Sequence, residues 1–265
     1  MRRMTGILMC CLLATASLVA QTPTVTSDGP SAPSASGVLS GSLSSMGAAG
    51  IAGLGTGTLT AVITADYVAG GDEPTTTPFT IRILGFDNIR FEVGGVNPAT
   101  TVIKGAGGWS TVGGKTTAIP VQALVGRRLE LFPILALARW TVSPRAKAAY
   151  VGLEPAANGS LHHIRVSELP SSSAANLPPQ LQALFQWDVL VDSTSLLPVS
   201  IDFRAPAGDW RRTMPARLEF SGYTEIGGVL MPTTIARYDA GQKTSEIHIH
   251  SVTFNVPVAD DLFRR

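Results

Sequence analysis

Four histidines in two pairs come nearest to chemistry by type and spacing. In Glu246-Ile247-His248-Ile249-His250 a strand would place both imidazoles on one face about 7 Å apart, with Glu246 beside them. That arrangement suits two ligands of a metal ion if a third comes from elsewhere. Ile247 and Ile249 claim the core side, however, which leaves the histidines on the solvated or pocket-facing side. His162-His163 is the other pair, and nothing else in the chain has ligand spacing, so no metal is expected. The run GGWSTVGGKT ends in Gly114-Lys115-Thr116, but a phosphate loop needs glycine where Trp109 stands, and a Thr-rich strand replaces the helix that would hold the phosphate. A hairpin turn between Val112 and Lys115 is the simpler assignment. No G-x-S-x-G elbow occurs, and the serines concentrate where serine is ordinary. Asp188/Asp192, Asp202/Asp209 and Asp260-Asp261 are carboxylate pairs expected to be solvated in turns. The chain is therefore expected to be non-enzymatic and without a cofactor. A hydrolase assembled from distant positions, with His248 and His250 as its candidates, is one alternative.

The elements that would position these residues begin after an export leader. MRRMTGILMCCLLATASLVA pairs Arg2 and Arg3 with an apolar run too short to span a bilayer, followed by small residues at Ala14-Thr15-Ala16 or Ala20 for cleavage. Residues 1–20 are read as a signal peptide, which places the rest in the periplasm, the envelope or the medium. Both cysteines, Cys10 and Cys11, fall inside it, so the remainder has no thiol for a disulfide, a metal or a nucleophile. Residues 21–36 are rich in Pro, Ser and Thr and read as a flexible segment. Residues 37–265 read as a single domain. The formal net charge of +1 is not segregated along the chain, which argues against nucleic acid and anionic membranes as partners.

Val38, Leu39, Leu43 and Met46 recur at helical spacing between Gly37 and Gly50. Strands are expected at Thr58–Val68, Phe79–Ile83, Ile89–Val93, Thr101–Lys104, Trp109–Val112 and Lys115–Ile119. At Pro120 the period changes to helical, and Pro133 divides the run to Trp140 into two short helices. A hairpin follows, Ala148–Leu153 with Leu161–Val166, then a short helix over Leu177–Phe185 and a meander of strands from Trp187 to Phe263. Ten to twelve strands with two or three helical insertions make an α+β chain built on a large, curved antiparallel sheet. Mean hydropathy is +0.24 and only 15% of residues are charged, so the concave side is apolar whether it is filled or hollow.

The end of the chain carries a family resemblance. Asp192-Ser193-Thr194-Ser195-Leu196-Leu197-Pro198-Val199 resembles the D-x-x-T-x-L-P turn of the outer-membrane lipoprotein-sorting (LolA/LolB-like) superfamily. Gly227-Gly228-Val229-Leu230-Met231-Pro232, followed by Asn255-Val256-Pro257 and Leu262-Phe263, resembles the ending of the same family. The motifs cover residues 187 to 263. The resemblance implies an open half-barrel whose helices, Pro120–Trp140 and Leu177–Phe185, cover an apolar cavity for lipid or lipoprotein acyl chains, with an envelope protein as a further partner. The lining expected on this basis is Ile81, Ile83, Phe91, Val93, Leu131, Phe132, Leu135, Trp140 and Phe203. Such carriers have an early-strand arginine near the cavity; Arg82 and Arg90 are the two candidates for it, and no functional residue is carried over to either. A structural or interaction β domain with a filled core is the other alternative.

Overall fold

The computed structural model describes residues 33–70, 74–105, 107–119, 124, 132–169, 182–207 and 212–265. The first and last strands meet in the middle of the sheet, where β1 (Thr60–Ala69) pairs antiparallel with β13 (Gln242–Phe254). From β1 the sheet grows outward through β2 (Thr75–Leu84), β3 (Asn88–Val93), β4 (Ala99–Lys104), β5 (Gly107–Val112) and β6 (Lys115–Ala118). On the other side β13 is followed in space by β12 (Val229–Asp239), β11 (Arg212–Ile226), β10 (Pro198–Ala207), β9 (Gln186–Asp192), β8 (Gly159–Glu168) and β7 (Ala146–Ala156). Among the described residues the result is one antiparallel sheet of thirteen strands that does not close, an open half-barrel of α+β class. The count exceeds the expected ten to twelve because the alternation continues through every short hairpin.

Period-2 alternation and register together build the inner face. Ile103, Ile89, Ile83 and Ala61 lie opposite one another across four neighbouring strands, and Phe91, Ile81, Ile63 and Val252 form the next row. On the far half, Ile164, Val189, Ile201 and Leu218 make one row, and Val166, Trp187, Phe203 and Ala216 the next. β2 begins at Thr75, four residues ahead of the strand expected from Phe79, and includes Pro78 opposite Asp66. The glycine pair at 113–114 is the expected hairpin turn, with φ of 56° and 78° and Val112 opposite Lys115.

β6 and β7 lie at opposite edges, so the chain between them must cross a face of the sheet. It does so on the inner side, where α2 (Pro133–Val142) buries Ile134, Leu135, Leu137, Ala138 and Trp140. Pro133 starts this helix, as its position suggests. Of the helix expected between Pro120 and Pro133, Leu124 and Phe132 lie within the described residues; Leu124 is helical and buried, and packs over Gly108, where a Cβ would come within 2.7 Å of its side chain, while Phe132 is buried and non-helical. The expected Leu177–Phe185 helix begins outside the described residues, and its end, Ala183–Phe185, is one 3-10 turn. Among the described residues no helix is long and apolar enough to cross a membrane.

Helix α1 (Ala35–Ser45) starts earlier than its apolar spacing indicates because Ser34 accepts the Gly37 N–H at 3.0 Å and caps it. Both family-like turns hold this helix. At Gly41 a Cβ would stand 3.0 Å from Leu196, and the Leu230 N–H donates to the Met46 carbonyl at 3.0 Å. In the first turn Asp192 Oδ1 accepts the N–H groups of Thr194 and Ser195 at 3.1 and 2.7 Å and the Ser195 hydroxyl at 2.8 Å, which supports Leu196 at φ 57°.

Those donors, the Ser195 N–H foremost, hold the Asp192 carboxyl below its ordinary 3.8. A carboxyl depressed on folding stabilises the protein above its unfolded pKa and loses that contribution as the pH falls through the folded value. Asp192→Ala is expected to cost about 1–2 kcal/mol at pH 7. Urea unfolding should show the margin between wild type and variant shrinking below about pH 4.

Candidate functional site

The expected lining residues come together. Ile81, Ile83, Phe91, Phe132, Leu135, Trp140 and Phe203 belong to one buried cluster between the sheet and its helices, and Val93 packs against it. Leu131 lies outside the described residues. Ile81 and Ile83 are 0% and 1% exposed, which leaves no surface for even a water-sized void, whereas Phe79, Phe91, Trp140, Trp187 and Phe203 each keep 5–6%.

These aromatic residues cluster toward one end of the half-barrel, near the late part of β3 and β10 and the start of β9. Tyr67, Phe79 and Phe91 form one arc, with ring centroids 6.1 and 6.0 Å apart. Across the sheet Trp140 of α2 rests on Trp187 at 5.3 Å, and Phe203 is the cross-strand partner of Trp187. The Arg237 guanidinium lies 5.9 Å over the Phe203 ring and is paired with Asp239, which also accepts the Thr244 hydroxyl at 2.9 Å. Burial leaves the Trp187 Nε1–H without a hydrogen-bond partner among the described residues. α2 is pinned here as well: the buried Glu168 accepts the Ser143 hydroxyl at 2.8 Å and pairs with Arg139 at 3.3 Å.

Neither early-strand arginine faces this interior. Ile81 and Ile83 are buried on the inner side, so Arg82 between them points outward, and Arg90, its neighbour across the ladder, does the same. Both pair with Glu92, and Arg90 also donates to the Leu262 carbonyl at 2.8 Å, beneath the 3-10 turn Asp260–Phe263. Burial, with Arg82 alongside, lowers the Arg90 pKa. On the inner face the arginine is instead Arg237. Its alternation with Ile235 was a usable signal, but the register shift beside it breaks the pattern at Tyr238.

The histidines do not converge. His250 falls at a bulge opposite Thr64 and Ala65, is exposed and pairs with Asp66 at 2.9 Å, whereas His248 is half-buried and pairs with Glu246 at 3.1 Å. Glu246 is also paired with Lys243. His163 bridges Glu154 at 2.5 Å and Asp188 at 2.8 Å on the outer face of β8, and His162 Nδ1 meets the Tyr150 hydroxyl at 3.0 Å. Among the described residues no group of three or more His, Cys, Asp or Glu is placed to hold a metal. Asp188 and Asp202 are ion-paired on strands, to Arg165 and Arg217, rather than solvated in turns. Burial pushes the Asp188 pKa up, but hydrogen bonds from Arg165 and His163 outweigh it and hold the carboxyl low. Asp260 is held low by Arg264 and Lys104, and Asp209 lies outside the described residues. A separate outer-face hollow of about 460 Å³ is lined by Leu161, Leu190, Val199, Arg217, Tyr238 and Lys243 among others.

No protein-family model matches the chain, and no curated protein matches it by sequence. Solved structures do match. A LolA superfamily protein from Nitrosomonas europaea is 12% identical, with a TM-score of 0.58 over 88% of this chain and 99% of that one. A domain from Vibrio parahaemolyticus described as an outer membrane lipoprotein-sorting protein is also 12% identical, with a TM-score of 0.55 over 85% and 95%. A DUF1329 family protein from Desulfovibrio piger is 10% identical, with a TM-score of 0.57 over 87% and 97%. At these identities the likeness is one of fold. Together with the turns at Asp192 and Gly227, it gives the chain the fold seen in the LolA superfamily protein and in the lipoprotein-sorting domain.

Proposed function

We propose that this protein is an exported, non-catalytic binder of lipid or lipoprotein acyl chains, which it holds on the apolar inner face of the half-barrel in the periplasm or cell envelope. The observation that carries this reading is the inner face itself: fully buried aliphatic rows bordered by a collar of two aromatic groups that, like Ile247 and Ile249, keep a few per cent of exposure. An acyl chain offers only apolar surface, and burying it against such rows contributes roughly 0.8 kcal/mol per methylene. With Ile81 and Ile83 already in full contact, access runs through the collar and requires α2 or its side chains to shift. Ile81, Ile83, Phe91, Val93, Leu131, Phe132, Leu135, Trp140 and Phe203 remain the proposed lining, with the collar residues contacted first.

A second reading, an exported interaction domain with a filled core, draws on the outer-face hollow beside Leu190 and Val199 and on the full contacts of the deep rows. One experiment separates the two. The purified protein is extracted with solvent and the extract analysed by mass spectrometry, and the delipidated protein is titrated with an apolar fluorophore. Co-purifying acylated lipid and saturable fluorophore binding are expected. Neither signal would leave the interaction domain as the better account.

A further inference from the structure

We propose that Trp187 is the polar anchor of the interior, its indole N–H donating to a neutral carbonyl oxygen of an acyl ester. This rests on the acyl-binding reading above and names the chemistry of the group bound. Trp187 is 6% exposed, and its Nε1–H has no partner among the described residues. Buried indole N–H groups ordinarily find one, because an unmade bond leaves the full cost of desolvating the donor. Trp140 does not fill the role, since the two rings are inclined at 36°, nearer to an offset stack than to the perpendicular pair that would seat an N–H on a ring face. The donor sits in the collar, between Trp140 and Phe203, where the interior keeps exposed surface.

The surrounding charges select the class of acceptor. Arginines at the collar are matched by carboxylates, Arg237 by Asp239 and Arg139 by Glu168. A free carboxylate brought here would meet balanced pairs, and would be desolvated without a compensating cation. A neutral ester carbonyl needs only one donor, and Trp187 supplies it. The hydrocarbon chain then lies on the Val189, Ile201 and Leu218 row, one step deeper than Phe203 and Ala216.

The test displaces a bound apolar fluorophore from the delipidated full-length protein with dodecane, methyl laurate or laurate, in wild type and in Trp187→Phe. Methyl laurate is expected to compete at roughly five- to tenfold lower concentration than dodecane, the worth of one buried hydrogen bond. Trp187→Phe should abolish that difference, whatever it does to the affinity for dodecane itself. Equal potency of ester and alkane in the wild type, or an ester preference surviving in the variant, overturns the anchor while the acyl-binding reading stands. Stronger competition by laurate than by methyl laurate overturns the neutral-carbonyl assignment. Absence of fluorophore binding removes the acyl-binding reading and the anchor with it. A second measurement guards against a misfolded variant: in wild-type protein with ¹⁵N-labelled indoles, the Trp187 Nε1–H resonance should move downfield with methyl laurate and not with dodecane. A resonance that ignores the ester overturns the proposal.

Discussion

Glu168→Ala should lower stability by about 3 kcal/mol, read as a shift in the urea midpoint at unchanged slope. Glu168 is the buried carboxylate that ties the end of α2 to β8, accepting from Ser143 and pairing with Arg139. Its removal leaves the Arg139 guanidinium largely buried, with Asp87 at 3.9 Å as partial compensation. That partial compensation sets the expected loss at the low end of the range for breaking a buried pair. Glu168→Gln keeps the shape and an acceptor for Ser143, and should cost about half as much. The double change Arg139→Met with Glu168→Leu removes both charges together and should recover most of the loss. If the single and double variants are equally damaged, the pair is not what pins the helix. Under the proposed function, Glu168→Ala also speeds the uptake of an apolar fluorophore, because α2 carries Trp140 over the collar.

Gly227→Ala is expected to cost about 2–4 kcal/mol, whereas Gly228→Ala, one residue on, should cost only about 1 kcal/mol. Both glycines have the positive φ that the two-residue turn between Ile226 and Val229 demands, 62° and 81°. They differ in what surrounds them. A Cβ on Gly227 would lie 2.6 Å from the Val252 carbonyl oxygen, so strand β13 itself must move, while a Cβ on Gly228 meets nothing within 4 Å. Thermal unfolding of the two variants checks the difference, and equal losses would mean that backbone strain alone governs the turn. The turn also faces α1, since the Leu230 N–H donates to the Met46 carbonyl, so the Gly227 variant should loosen that helix as well.

Much of the sheet was legible because side-chain parity in a strand is a local property. Ile81 and Ile83, with Ile89 and Phe91, required an inner face, and the same parity puts Arg82 and Arg90 on the opposite, outer one. The hairpin at Gly113-Gly114 and the turn at Asp192 were legible for a related reason. Their geometry is set by glycines able to adopt positive φ and by a side chain that reaches its own backbone. Parity failed where an extra residue enters a ladder. The bulge at His250 separates two histidines that strict alternation puts side by side, and the shift after Arg237 hid the arginine that faces the interior.

By itself, then, the sequence determined the strand meander, its faces, its turns and the apolar character of its concave side, since each depends on residues a few positions apart. Only the tertiary structure decided that the first and last strands pair at the centre, that β6 and β7 stand at opposite edges, and that the linking chain must therefore lay α2 across the inner face. It alone gathered Trp140, Trp187, Phe203 and Arg237 from distant parts of the chain into one collar. Whether a buried donor finds a partner depends on how those distant elements pack, and a local pattern carries no record of it.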